Sequence, residues 1–162
     1  WFNQSTRFTL YSLMYEIPKI SVPVVILMID DKSIAGQVFL SENQVSASGN
    51  PLIEDFLNDG MKLFFPFQSD TGEHRLINKR QVAFIKTEVN SREVRELTPL
   101  RPRSLVAHFS NDRAVKGTVY PTIAEESRVS DLINHNEDFI AVYQDGRKTI
   151  LNREHIIYIN TN

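Results

Sequence analysis

The sequence predicts a mainly β protein with short helices, built as a tandem duplication of a small bent sheet or barrel about a pseudo-two-fold axis. Three observations lead to that fold class. The stretch Ile150-Leu151-Asn152-Arg153-Glu154-His155-Ile156-Ile157-Tyr158-Ile159 repeats the order of types in Leu76-Ile77-Asn78-Lys79-Arg80-Gln81-Val82-Ala83-Phe84-Ile85. Short β-branched and apolar runs alternate with Asp, Asn and Gly turns. A glycine, Gly36 or Gly117, stands inside the return strand after the first turn of each copy. The expected organisation is an N-terminal strand region over 1–21, a first repeat over 22–89, a linker over 90–103 and a second repeat over 104–162.

Arg7 to Ile17 alternates with a period of two, which favours a strand over a helix. Val24-Val25-Ile26-Leu27-Met28-Ile29 follows Pro23 as an apolar strand, and Asp30-Asp31-Lys32-Ser33 supplies turn chemistry. Ile34 to Leu40 returns as the second strand of a hairpin, with Gly36 marking a bulge or a close backbone approach. Pro51 to Asn58 reads as a short helix with Pro in its first turn, stopped by Asn58-Asp59-Gly60. Met61 to Phe67 is a strand that Pro66 bends or places at an edge. A turn at Ser69 to Gly72 leads to the strands His74–Ile77 and Gln81–Thr87.

Asn90 to Arg103, rich in Arg, Glu and Pro, is a connector. The second copy follows with a strand at Val106–Phe109, a turn at Asn111–Arg113 and a return strand at Val115–Tyr120. A short helix at Arg128–Asn134, a hairpin over Phe139–Leu151 and a last strand at His155–Ile159 complete it. Asp55 then corresponds to Asp131, Asn58 to Asn134, and Asn78 to Asn152. A single copy would be marginal alone, so packing copy on copy is the simplest route to an adequate core.

The 162 residues carry a net charge of -2, which gives no general attraction to nucleic acid or anionic membrane. There is no cysteine, which excludes disulfides and thiolate metal sites and fits a reducing, cytoplasmic setting. The most apolar stretch, Ile20 to Ile29, is too short to span a bilayer, so no membrane partner is expected. The chain opens at Trp1 rather than Met, which leaves room for a native start and a targeting signal upstream.

The apolar strand, Asp-rich turn and Gly-bearing return, with the later Asn-basic-x-x-apolar segment, resemble the two signature segments of the Sm and Sm-like small barrels. That resemblance implies an SH3- or Sm-like barrel, and the family binds short single-stranded RNA through loops of those segments. The match covers two strands and one turn per copy, and a helix interrupts each copy where the family continues its sheet. Asp31-x-Ser33-x-x-Gly36 is similar to half of the cyclic-dinucleotide motif of PilZ barrels, whose Arg-x-x-x-Arg half is absent. Arg128 to Asn134 with Ile150-Leu151-Asn152 resembles a little-characterised bacterial family that carries Arg-x-Ser-Asp-apolar-apolar-Asn and apolar-apolar-Asn segments. The first copy departs from it, with Leu52 and Glu54 at the Arg and Ser positions. This likeness implies a fold and brings no activity with it.

The repeated polar residues have two readings. Ser130 or Asp131 caps the short helix and Asn134 takes a left-handed exit, while Asn78 and Asn152 occupy tight turns at positive φ. Alternatively Arg128, Asp131 and Asn152 form a ligand pocket, with Asn78 as the corresponding candidate of the first copy. His74, His108, His135 and His155 lack HxxxH or HExxH spacing, so no metal ligand is expected. Ser130-Asp131 with a histidine has no nucleophile elbow or adjacent base, so no catalytic residue and no cofactor are expected. The function that follows is a non-catalytic binding or regulatory module whose partner is a protein, met at a strand edge or between the copies. The rival is an RNA- or nucleotide-binding small barrel.

Overall fold

The computed structural model describes residues 19–97, 101–121, 128–134 and 137–161. The strand expected at Arg7–Ile17 and the histidine at 135 lie outside them. The described residues form ten antiparallel strands in one open sheet, three short α-helices and three one-turn 3₁₀ helices.

The first half follows the hydrophobic pattern closely. In β1 (Lys19–Met28), Val22, Val24 and Ile26 are buried while Ser21, Pro23 and Val25 face out, the period of two of a half-buried strand. Asp31 turns the chain at φ 68, a left-handed conformation that a short polar side chain tolerates. The turn delivers β2 (Ser33–Ser41), and α1 (Ile53–Asn58) comes after it. Pro51 lies ahead of α1 rather than in its first turn, bridged to Val45. Strands β3 (Phe64–Ser69), β4 (His74–Asn78) and β5 (Val82–Glu88) finish this half.

The connector holds α2 (Ser91–Leu97), whose first turn is capped by Asn90 Oδ1 accepting from the Glu93 amide at 2.9 Å. The second half runs β6 (Arg103–His108), β7 (Ala114–Val119), α3 (Val129–Asn134), β8 (Phe139–Gln144), β9 (Arg147–Asn152) and β10 (Tyr158–Thr161). Its turns use Asn111 and Asp112, both at φ 58, and Asp145 at φ 51.

The strand order is β10-β6-β7-β8-β9-β5-β1-β2-β3-β4. Each half therefore has the order fifth, first, second, third, fourth. The registers match as well: Val25, Ile26 and Leu27 face Lys86, Ile85 and Phe84 in one half, and Val106, Ala107 and His108 face Asn160, Ile159 and Tyr158 in the other. The halves meet through unlike strands, β9 against β5. That corrects the expected two-fold axis, which would pair a strand with its own counterpart. The complementary pair, β4 and β10, is left apart at the two ends of the sheet.

Two cores lie against the sheet and each borrows from the other half. One gathers Val24, Ile26, Val38, Leu40, Leu57, Phe65 and Phe67 and takes in Phe139 and Ile150. The other gathers Leu105, Ala107, Phe109, Val115, Val119 and Val142 and takes in Leu27, Ala83 and Phe84. Alternation at the junction explains the sharing: the facing pair Ile85–Ile150 enters the first core and the next pair, Phe84–Leu151, enters the second.

Pro66 does not lie on an edge strand, since β3 has neighbours on both sides. The β2–β3 ladder covers Phe67 to Ser69 and stops before Pro66, which has no N–H with which to extend it. Gly36 marks a close approach, not a bulge: a Cβ there would lie 2.1 Å from Gln68 O and 2.5 Å from the Phe67 ring. At Gly117 the same atom would meet Tyr143 O at 3.1 Å. The register shift of this region falls instead between Leu27 and Met28. Gly36→Ala is expected to cost about 2–3 kcal/mol by overpacking against backbone, and Gly117→Ala about 1 kcal/mol or less. Urea unfolding of the two variants measures that difference.

Candidate functional site

A cleft of about 430 Å³ opens where the halves join. Its wall comprises the end of α1 (Leu57, Asn58), the following loop (Asp59, Gly60, Lys62, Leu63), Lys79, Arg80, Asp138, Phe139, Asn152 and Glu154. Both Asn-basic segments reach it, and their local chemistry is the same. Asn78 Oδ1 accepts from the Arg80 amide at 3.0 Å and Asn152 Oδ1 from the Glu154 amide at 3.2 Å, each capping a one-turn 3₁₀ helix. Their φ values are -74 and -78, so neither is the positive-φ residue expected from sequence. Asn is needed here for its side-chain oxygen rather than for a left-handed backbone.

The basic residue after each Asn returns to the helix of its own half. Lys79 Nζ donates to Asp59 O at 2.7 Å and Arg153 Nη1 to Ile133 O at 3.1 Å. Carbonyls at a helix end lack intrahelical donors, and a cation there satisfies them and complements the dipole. Burial holds the Lys79 ammonium below the usual lysine range, against the opposing pull of Asp59.

Asn58 and Asn152 also tie the halves together. Asn58 Nδ2 donates to Phe139 O at 3.0 Å while its Oδ1 accepts from the Phe139 amide at 2.8 Å. Asn152 Nδ2 donates to Lys79 O at 3.3 Å and Val82 O at 2.9 Å. His155 Nε2 contacts Arg80 O across the same seam.

The other sequence candidates lie elsewhere. Arg128 and Asp131 pair at 3.4 Å on the exposed start of α3, and Asp131 Oδ2 accepts from the Arg128 amide at 3.2 Å. Asp131 thus caps from the third helical position, and Ser130 is inside the helix. Asn134 ends α3 without a left-handed φ. No hydrogen bond or ion pair joins Arg128 or Asp131 to Asn152 among the described residues.

Sequence reasoning missed a buried charge cluster behind the junction. Lys148 of β9 is fully buried, with Nζ 2.8 Å from Glu54 Oε2 of α1 and 3.0 Å from Glu93 Oε1 of α2. Nζ also donates to Pro51 O at 3.3 Å, and the Tyr143 hydroxyl donates to Glu93 Oε1 at 3.3 Å. Burial, reinforced by Glu54 and Glu93, pushes the Tyr143 hydroxyl far above its ordinary pKa, so it remains a donor. Burial also raises the Glu54 carboxyl, outweighing the Lys148 charge that pulls it down. The cluster joins the connector helix, the first half and the second half at one ammonium. A Lys beside Arg147 and a Glu on each short helix look like solvated surface residues, and nothing in the sequence pairs them.

As chemistry, the cleft offers Lys62, Lys79 and Arg80 against Asp59, Asp138 and Glu154, a balanced set with no net field for one sign of ligand. Asn58, Lys79 and Asn152 spend their hydrogen bonds within the fold. Asn152→Ala, which strips two donated bonds from the seam, is expected to cost about 2–3 kcal/mol, while Asn78→Ala, losing a cap, costs about 1 kcal/mol; denaturant unfolding separates them.

A raised Glu54 pKa means the folded state keeps that proton to higher pH than the unfolded chain. The stability this contributes is full below the ordinary glutamate value of about 4.3 and is lost as pH rises through the raised value. Glu54→Gln should flatten the fall of unfolding free energy over that rise, read from urea curves at a series of pH values.

No protein-family model, no curated protein and no solved structure matches the chain.

Proposed function

We propose that the protein is a non-catalytic binding module made of two copies of one small barrel-like unit, and that its partner is a protein met along an open strand edge. The repeated strand order, the matched registers and the two Asn-basic turns support the duplication. The observation that carries the function is where exposed apolar side chains fall. Leu76 is exposed on β4, Phe64 is exposed at the start of the neighbouring β3 with Met61 and Leu63 just ahead of it, and Ile157 and Tyr158 lead into β10. An edge strand presents unpaired N–H and C=O groups, and proteins that leave one free normally blunt it with charge. Apolar residues on such an edge fit strand addition by a partner chain, with side-chain pockets giving specificity.

The second reading, RNA or nucleotide in the junction cleft, is supported by the convergence there of both late turns with Lys62 and Arg80. The three carboxylates in the same wall weigh against it.

Leu76→Lys charges the edge at an exposed position and leaves folding stability within about 0.5 kcal/mol. Used as bait in extract of the native cell, wild-type protein is expected to retain a defined partner that Leu76→Lys loses and Lys116→Glu, on β7, keeps. Equal capture by all three removes the edge from the function. Binding of oligo-U RNA by anisotropy, abolished by Arg80→Glu, would replace this reading with the second.

A further inference from the structure

We propose that the partner is a second copy of this chain, added head to tail, with β4 of one chain pairing with β10 of the next in the register that β9 and β5 use within the chain. The inference rests on reading the open edges as a protein-binding surface and names what binds there.

The internal junction is a template whose two complementary edges recur at the ends of the sheet, with no strand paired to them among the described residues. The residues it buries have exposed counterparts. Phe139 and Ile150 are 4% and 0% exposed at the junction, and their equivalents on β3 and β4, Phe64 and Leu76, are 48% and 71% exposed. On the opposite strand Ala83 and Phe84 are 5% and 4% exposed, and their equivalents Ile157 and Tyr158 are 63% and 56% exposed. All four counterparts are apolar or aromatic, as a surface that is covered requires.

The hydrogen-bonding groups recur in the same way. Asn58 and Asn152 bridge the junction. Asn134, the equivalent of Asn58, is exposed with no partner among the described residues. Asn78, the equivalent of Asn152, keeps its capping oxygen bond, and its Nδ2 has no acceptor among the described residues. In a head-to-tail pair Asn134 meets the Phe64 backbone of the next chain, and Asn78 meets the Arg153 and Ile156 carbonyls of the chain before. The internal pairs Ile85–Ile150 and Lys86–Thr149 become Ile159–Leu76 and Asn160–Arg75 between chains. Because the joint is heterologous, it repeats, closing into a ring or extending according to the rotation at each step.

The register supplies the test. The chain has no cysteine, so introduced thiols are the only ones. Facing residues in an antiparallel ladder lie within disulfide-forming distance. Arg75→Cys mixed with Asn160→Cys under mild oxidation is expected to give the mixed disulfide, with either variant alone giving several-fold less dimer. Wild-type protein is expected to have a concentration-dependent mass in multiples of 18.7 kDa by light scattering. Leu76→Lys is expected to stay at one chain mass with an unchanged thermal melt.

A dominant disulfide from Arg75→Cys alone would overturn the proposal in favour of two-fold β4–β4 pairing. A wild-type chain that stays monomeric at all concentrations and gives no mixed disulfide overturns self-assembly altogether. If Leu76→Lys nevertheless loses a captured partner, the edge-binding function stands without self-assembly. If Leu76→Lys changes neither mass nor capture, both readings fall.

Discussion

The pairing of β5 with β9 is the constraint on which the rest of the structure depends. Five facing pairs, Phe84–Leu151 to Glu88–Arg147, join halves that otherwise have their own strands, helix and turns. Both strands are buried on their two faces through the middle of the ladder, so alternate side chains feed opposite cores. Neither core is complete without that exchange: removing the second half would strip Phe139 and Ile150 from one, and removing the first would strip Leu27, Ala83 and Phe84 from the other. Small units bury little surface and are marginal alone, and sharing residues across a joint is one physical answer.

The small polar residues follow from the same joint. A sheet that turns over between two cores must end its fourth strand, pass a one-turn helix and begin its fifth, all beside the exit of the preceding α-helix. Asn78 and Asn152 supply the oxygen that starts the short turn, and the next residue's cation satisfies the helix's final carbonyls. The Asn-basic pattern therefore needs no ligand to explain it. Where a neighbour exists, the remaining amide group of the Asn reaches across to it, as Asn152 does to Lys79 and Val82.

Much of this was legible in the sequence, and the boundary of legibility is physical. β-branched runs bounded by Asp and Asn turns placed the strands, because local sterics and a period of two act within a few residues. Gly36 pointed to a bulge or a close approach, and the approach is what the fold uses, since a Cβ there would run into the Gln68 carbonyl. Which strand meets which across the halves was not legible, since any edge presents the same backbone groups and the choice is made by distant side chains such as Asn58 on Phe139. The asparagines were located correctly and explained wrongly: a capping side chain and a positive φ favour the same residue. Lys148 escaped because one buried ammonium needs Glu54 and Glu93 from two other elements, and sequence spacing carries no trace of that meeting.

That cluster also separates the internal joint from the two ends of the sheet. A buried lysine is tolerated only with its charge met, and removing one partner from such a group is far costlier than never having built it. Inside the chain Lys148 draws Glu54 and the connector's Glu93 onto the seam. At the open end the equivalent of Lys148 is the exposed His74 and that of Glu54 is Ser130 in α3, so neither the buried ammonium nor the carboxylate of the short helix recurs there. The internal seam therefore combines apolar burial, asparagine bridges and a buried ion cluster that gives the joint one geometry. The ends retain counterparts of the first two and lack the third. An end with exposed apolar and hydrogen-bonding groups but no buried charge leaves no ion stranded when it stands open, whereas opening the internal seam would expose Lys148 and its carboxylates together.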